Sequence, residues 1–125
     1  MKKIFYSVLL SLLLTACGND SKTADKKSDS ADITKHPDYA KGLALVADNG
    51  CLACHRVDEV VTGPSYRDIA NKYAAGADTA VTYLAAKIIK GGTGVWGTAF
   101  MTPNSNLSKD EAETVVRYIL LLKNK

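Results

Sequence analysis

The chain has 125 residues, of which 23% are charged and 46% hydrophobic, and its formal net charge is +3. This length allows one domain of ordinary size. Because Lys2 and Lys3 account for most of that charge, the rest of the chain is nearly neutral and lacks the basic surplus typical of a nucleic-acid-binding protein.

The N-terminus has the pattern of an export signal. Lys2 and Lys3 precede an apolar run at residues 4–14, which is shorter than the ~20 residues that a membrane-spanning helix needs. The following Leu-Thr-Ala-Cys resembles the end of a bacterial lipoprotein signal, in which the cysteine receives a diacylglycerol. We therefore expect residues 1–16 to be a lipoprotein signal peptide and Cys17 to carry lipid at a bacterial membrane. The alternatives are an ordinary signal peptide with an incidental cysteine, or an uncleaved anchor.

Residues 18–35 have the composition of a flexible segment. Their four aspartates and four lysines balance, and Ile33 is the one larger apolar residue. Such a segment cannot bury enough surface to fold, and its average reach is ~20–25 Å. We expect residues 17–35 to form a lipidated, disordered tether for a folded domain of residues 36–125, which would face the periplasm or the cell exterior.

The first half of this domain predicts two helices and no strand. The first helix begins at Pro37, a residue type favoured at the first helical position, and ends at residues 49–50, Asn-Gly. A short helix follows Pro64, over about residues 65–73.

The second half predicts two more helices. One begins near Asp78 as N-cap and stops at residues 90–92, Lys-Gly-Gly. The other begins at a capping box formed by Ser108 and Glu111. Between them, residues 91–107 form a loop that is long for a helical domain, and such loops usually have a function. The sequence therefore predicts an all-α fold wrapped around a ligand.

The stretch CLACH contains Cys51, Cys54 and His55. On a helical turn the two sulfurs lie on one face. A structural zinc site would need four N or S ligands, and His36 is the one other histidine. A redox dithiol, which an exported protein could oxidise to a disulfide, needs a strand before the motif. Covalent haem attachment has C-x-x-C-H as its signature, with two thioethers and an imidazole ligand. We favour one haem c bound through Cys51 and Cys54, with zinc and dithiol sites as the alternatives.

A low-spin haem iron needs a second axial ligand beside His55. Met101 is the only methionine after the signal, and it lies in the glycine-rich loop GGTGVWGTAFMTPN. A single methionine is usually core filler, and His36 has the position of a helix N-cap. We predict Met101 as the second ligand, which would favour Fe(II) and raise the reduction potential.

Residues 92–97 also match G-x-G-x-x-G, the dinucleotide-binding fingerprint. That motif functions between a strand and a helix, whereas here it follows a helix. We interpret its glycines as residues that let backbone lie against a flat porphyrin.

The stretches GCLACHRVD, GPSYRDIA, KGGTGVWG and MTPN have the order and spacing of class I cytochromes c. From about residue 38 to 123 the chain resembles the small bacterial single-haem carriers of respiratory chains. The resemblance implies the all-α class I cytochrome c fold, with about four helices around one haem c. It also implies thioethers at Cys51 and Cys54 and iron coordination by His55 and Met101.

The resemblance implies further contacts around the haem. The carbonyl of Pro64 would accept a hydrogen bond from Nδ1 of His55. The indole of Trp96 would donate to a haem propionate, unless it is merely a buried aromatic. Asn104 would donate to the Met101 sulfur, unless it is only a turn residue.

Two positions depart from the family pattern. Lys87 stands where relatives often have an arginine bonded to a propionate, so that contact would be weaker or lost. Phe100 and Thr102 stand where proline often flanks the ligand methionine. We expect a less rigid loop, from which Met101 dissociates more readily at high pH or on heating.

The function implied is that of a monomeric, membrane-tethered protein that shuttles one electron between respiratory redox partners and is not an enzyme. Its near-neutral domain would dock transiently, through an apolar patch. The alternatives are a haem-based peroxidase or gas sensor, if Met101 is not a stable ligand, and a metal-binding lipoprotein without haem.

Overall fold

The computed structural model describes residues 32–124. The predicted signal peptide, Cys17 and most of the predicted tether therefore lie outside the described residues. Within residues 32–124, none of the helices has the length and apolar character needed to cross a membrane.

The described chain consists mainly of four α-helices, as predicted. They are α1 (Pro37–Asp48), α2 (Tyr66–Tyr73), α3 (Ala77–Lys90) and α4 (Lys109–Leu121). Short 3-10 turns occupy Ile33–Lys35, Cys51–Ala53 and Ala74–Gly76, and two short strands are β1 (Gly92–Gly94) and β2 (Gly97–Met101).

The first turn lies inside the predicted tether. The Asp32 carboxylate accepts a hydrogen bond from the Thr34 backbone N–H at 3.1 Å, and Ile33 packs against the core. The folded structure thus starts before residue 36, because the one larger apolar residue of the tether has a surface to bury.

The start of α1 agrees with the sequence prediction. Pro37 is its first residue, and the His36 Nδ1 accepts a hydrogen bond from the Asp38 backbone N–H at 3.2 Å. The predicted capping box of Ser108 and Glu111 is also present at the start of α4.

The prediction for the start of α3 is wrong in one detail. Asp78 is not the N-cap, because α3 follows directly on the 3-10 turn and Gly76 occupies that position. Asp78 lies instead in the first turn of the helix, where its negative charge interacts favourably with the helix dipole.

The core forms around α4, which packs against the other three helices. At the crossing with α1, a Cβ atom on Gly42 would lie 2.3 Å from the Tyr118 Cβ. Gly42 therefore lets the two helices approach closely, and the Tyr39 ring packs edge-on against Tyr118 with 5.5 Å between centroids. The buried apolar cluster comprises Val46, Tyr66, Ile69, Ala85, Ile88, Leu107, Ala112, Val115, Val116, Tyr118, Ile119 and Leu122.

The two strands form an antiparallel hairpin that the sequence analysis did not predict. Gly92 pairs with Met101 and Gly94 with Gly97. These strands are short and rich in glycine, so they lack the β-branched, alternating pattern that predicts a strand. The hairpin places Met101 beside the end of α3.

Candidate functional site

A cavity of about 400 Å³ lies between α2, α3, α4, the hairpin and the loop after α1. This volume falls within the usual range for a small-molecule or cofactor pocket. The structure brings every predicted site residue of the described chain to its lining, namely Cys51, Cys54, His55, Pro64, Lys87, Trp96, Met101 and Asn104.

The C-x-x-C-H segment is a turn at the end of α1. Gly50 has a left-handed backbone with φ 66°, which favours glycine and reverses the chain. The backbone N–H groups of Cys54 and His55 then donate to the Cys51 carbonyl at 3.3 and 3.1 Å. No disulfide joins Cys51 and Cys54 in the described chain, and burial raises the pKa of the Cys51 thiol. The turn thus presents two thiols and an imidazole to one cavity.

The loop that follows holds the imidazole from behind. Nδ1 of His55 lies 2.7 Å from the Pro64 carbonyl oxygen, and the Gly63 N–H donates to the Cys54 carbonyl at 2.9 Å. Because a carbonyl oxygen can only accept, Nδ1 carries the proton, and Nε2 is the nitrogen available to a metal. This is the contact that the resemblance implied for Pro64.

Gly63 is a site residue that the sequence analysis missed. A Cβ atom there would lie 2.4 Å from Cε1 and 3.0 Å from Nε2 of His55. Any side chain at this position would displace the imidazole. The sequence shows a glycine before Pro64, but no local pattern reveals which ring packs against it.

Tyr66 is a second residue whose role was missed. Its ring is stacked on the His55 imidazole, with 5.5 Å between centroids and an interplanar angle of 14°. Its side chain is buried, and burial raises the pKa of its hydroxyl well above the usual value. In the sequence it is indistinguishable from an ordinary core tyrosine at the start of a helix.

The opposite part of the lining is the segment around Met101. Gly91 has φ 65°, and a Cβ atom on it would lie 2.3 Å from the Met101 carbonyl oxygen and 2.7 Å from the Pro103 nitrogen. The Asn104 backbone N–H donates to the Ile88 carbonyl at 3.0 Å. These contacts pack the methionine segment against the last turn of α3.

The Asn104 side chain has a partner that the sequence did not indicate, and its contact with the Met101 sulfur stays a prediction, because the amide has a second N–H. Its Nδ2 donates to the Asn49 carbonyl at 3.3 Å, and in residues 32–124 it has no hydrogen bond with the Met101 sulfur. The carbonyl groups in the last turn of a helix have no N–H partner within that helix, so the Asn49 carbonyl can accept a hydrogen bond from the Asn104 side chain. Asn104 thereby joins the methionine segment to the turn that bears the cysteines.

Lys87 and Trp96 also have partners that the sequence did not indicate. The Lys87 ammonium donates to the Thr93 carbonyl at 2.7 Å, which ties α3 to the hairpin. The Trp96 ring lies 5.6 Å from Nζ of Lys72, within the range of a cation–π interaction. Both residues lie at the cavity, where their predicted contacts with haem propionates stay predictions.

The geometry argues against the alternative sites. Within the described chain, no three His, Cys, Asp or Glu side chains form a group that could hold a metal ion. His36 caps α1 and does not line the cavity. The C-x-x-C-H turn follows a helix, whereas a thioredoxin-like dithiol requires a strand. Two thiols, an imidazole and a thioether around a mainly apolar cavity are the donor set that suits a haem c.

Comparison with known proteins agrees with this donor set. The sequence model of the cytochrome c family matches residues 39–123, which is more than half of the chain. The chain belongs to the cytochrome c family. It is 49% identical over 86 residues to cytochrome c-552 of Nitrosomonas europaea, an alignment that covers 68% of this chain and 82% of that protein. It is 43% identical over 79 residues to cytochrome c-551 of Pseudomonas aeruginosa, covering 63% and 74% respectively.

Solved structures show the same fold. The crystal structure of Nitrosomonas europaea cytochrome c552 aligns with a TM-score of 0.61 and 48% identity, over 65% of this chain and 99% of that one. The class 1 cytochrome MtoD from Sideroxydans lithotrophicus ES-1 aligns with a TM-score of 0.55 and 28% identity, over 66% and 94%. The prediction of a small bacterial class I cytochrome c with a mostly helical fold is confirmed, as is haem c bound through Cys51 and Cys54.

Proposed function

We propose that this cytochrome c is a single-haem electron carrier that passes one electron at a time between respiratory redox partners and transforms no substrate. The observation that carries the proposal is that His55 and Met101 line one cavity together with both cysteines. The haem would supply the Fe(III)/Fe(II) couple, with the His55 imidazole and the Met101 thioether as its two ligands from the chain.

The remaining residues of the site support electron transfer by holding these groups still. The Pro64 carbonyl fixes the tautomer of His55 and makes its imidazole more electron-rich. The buried side chains of Val115, Val116 and Ile119 form an apolar wall of the cavity, which excludes water. Burial of this kind is one means by which a protein sets the potential of a haem.

The alternative of a peroxidase or gas sensor has less support. It requires a free axial position, and a peroxidase also needs a polar group to move a proton. In the described chain the second histidine, His36, caps α1 and lies outside the cavity lining.

An exposed apolar surface beside the site suits transient docking. Val60 is 70% exposed and Val61 49% exposed, and Val60 forms a β-bridge with His55. Neither side chain lines the cavity. We propose that redox partners dock here through a small contact, with weak dependence on ionic strength because the domain is nearly neutral.

We further propose that the protein is exported and held at a membrane by lipid on Cys17, with residues 1–16 removed. The support is the sequence pattern alone: a basic start, a short apolar run and a small residue before the cysteine. The polar composition of residues 18–31 suits a tether between that lipid and the first turn of the domain.

Carbon monoxide binding by the reduced, haem-loaded protein tests the carrier function, because this ligand needs a free position on the iron. We expect slow, weak binding by the wild type and by Met101→His, and rapid binding by Met101→Ala. We also expect a reversible one-electron titration, at lower potential in Met101→His than in the wild type. Wild-type protein that binds carbon monoxide as readily as Met101→Ala would instead support the enzyme or sensor.

A further inference from the structure

The Tyr66 hydroxyl is a buried polar group that the proposed carrier function leaves without a role. The side chain is 2% exposed, and within residues 32–124 its hydroxyl oxygen has no hydrogen-bond partner. Buried hydroxyls in folded proteins are nearly always hydrogen-bonded, since an unpaired one has lost its bonds to water. An unpaired hydroxyl on the wall of a cofactor cavity indicates that its hydrogen bond forms once the cofactor is bound.

Two contacts fix the position of Tyr66, one through its backbone and one through its ring. Its N–H donates to the Arg56 carbonyl at 2.8 Å, and its ring is stacked on the His55 imidazole. The hydroxyl therefore cannot turn toward solvent without breaking the stack. It has to find its partner at the cavity.

The sulfur of Cys51 is the candidate acceptor. Both residues line the cavity. Burial is the main cause of the raised pKa of each group, while the nearby Tyr66 hydroxyl lowers the pKa of Cys51 and Cys51 raises the pKa of Tyr66. Within residues 32–124, the hydrogen bond of the Cys51 thiol is a long one, 3.9 Å, to the Asn49 carbonyl. Once the sulfur becomes a thioether it has no hydrogen and can only accept, so it becomes a suitable partner for an unpaired O–H.

We propose that Tyr66 is a positioning residue whose hydroxyl donates a hydrogen bond to the Cys51 thioether sulfur and thereby raises the reduction potential. The inference rests on the proposed electron-carrier function. The hydrogen end of the O–H dipole would face the sulfur that links the chain to the cofactor. A positive dipole end there disfavours the more positively charged Fe(III) state. The ring, meanwhile, holds the His55 imidazole in one orientation.

The Tyr66→Phe variant tests the hydroxyl while it retains the stacked ring. We expect the equilibrium constant for reduction to fall about three- to tenfold, and a tenfold change is about 59 mV for a one-electron couple. Denaturant unfolding of both oxidation states gives an independent readout. The hydrogen bond predicts that the variant lowers the stability of the Fe(II) protein more than that of the Fe(III) protein.

Tyr39→Phe is the matched control, because Tyr39 packs against the core and does not line the cavity. Its potential should equal that of the wild type. The proposal is overturned if Tyr66→Phe leaves the potential unchanged, or shifts the stability of both oxidation states equally, as loss of an unpaired hydroxyl would. If such a variant still excludes carbon monoxide and titrates reversibly, the carrier function stands and only this role of Tyr66 is rejected.

Discussion

Three neighbours fix the orientation of the His55 imidazole. Pro64 accepts the proton of Nδ1, Gly63 leaves room for the ring edge, and Tyr66 covers one ring face. An imidazole held in this way would offer the same nitrogen to the iron in both oxidation states. Small structural change on electron transfer is what a carrier requires.

The requirement for Gly63 gives the first prediction. Because a Cβ atom would lie 2.4 Å from His55 Cε1, Gly63→Ala should lower the free energy of unfolding by about 1–3 kcal/mol, as overpacking does. It should also shift the NMR signals of His55 in the haem-loaded protein. Chemical denaturation and NMR spectra check the two effects.

Gly76→Ala is the control for this substitution, because a Cβ atom on Gly76 would make only an ordinary contact, 3.4 Å from the Thr79 Oγ1. It should leave the His55 signals unchanged. Equal effects of the two alanine variants would show that crowding of the imidazole is not the cause.

The sequence predicts the residues whose chemistry is specific and misses those that act by shape. Cys51, Cys54 and His55 form a motif with few uses, and Met101 is the one methionine after the predicted signal peptide. Gly63 and Tyr66 act through contacts with His55 that depend on how the 56–65 loop folds back. Such contacts leave no periodicity or spacing in the sequence.

Among the elements, the junction of α3 with the hairpin determines where Met101 lies. Gly91 ends the helix with φ 65° and ψ −150°, a backbone conformation that is essentially restricted to glycine. Its missing side chain also lets the Met101 carbonyl and the Pro103 nitrogen pack against it. The methionine segment therefore depends on one residue for both its direction and its packing.

Substitution of Gly91 by alanine tests whether this residue positions the methionine segment. Gly91→Ala adds a backbone strain of about 1–3 kcal/mol and a clash with the methionine segment. In the oxidised protein, the weak far-red band from sulfur-to-iron charge transfer should disappear at a lower temperature than in the wild type. Absorption spectra recorded during heating give the temperature at which the band disappears. Circular dichroism gives the temperature at which the helices unfold, and the two are compared.

Gly50→Ala provides the comparison, since Gly50 also has a positive φ of 66° but no atom would lie within 4 Å of its Cβ. In Gly50→Ala the far-red band should disappear at a temperature closer to that of global unfolding than it does in Gly91→Ala. Loss of the band at the same temperature in both variants would argue that Gly91 does not position Met101 through packing.

Helices were predictable here because proline, capping residues and apolar periodicity mark their ends and faces. The hairpin was not, because its pairing rests on the positive-φ glycines Gly92, Gly94 and Gly97 rather than on side chains. The partners of Asn104 and Lys87 were also missed, since both are backbone carbonyls. Carbonyl positions follow from the fold and have no signature in the sequence.

At the scale of the whole molecule, the composition separates a polar N-terminal stretch from a domain with a buried core. The structure describes the chain from Asp32, where a 3-10 turn packs Ile33 on the helices. This turn lies before the predicted boundary at residue 36, and the sequence does not indicate it because one isolated isoleucine in a polar stretch gives no sign of burial. Lipid at Cys17 would leave the intervening polar residues as the connection between membrane and haem domain.

The Cys17→Ser variant tests the proposed anchor. In a bacterial host that matures cytochromes c, we expect wild-type protein in the membrane fraction, with acyl chains on its N-terminal peptide by mass spectrometry. The variant should be released without acyl chains and should retain its haem spectrum. Wild-type protein that fractionates with the soluble proteins and lacks acyl mass would contradict the anchor, without affecting the haem site.

The central claim is that iron in this cytochrome is coordinated by the His55 imidazole and the Met101 thioether in one haem cavity. Proton NMR of the reduced protein tests it most directly, because a methionine methyl on the iron axis is strongly shielded by the porphyrin ring current. We predict one three-proton resonance far upfield of all others in the wild type and none in Met101→Ala. A reduced wild-type protein without that resonance would contradict the account.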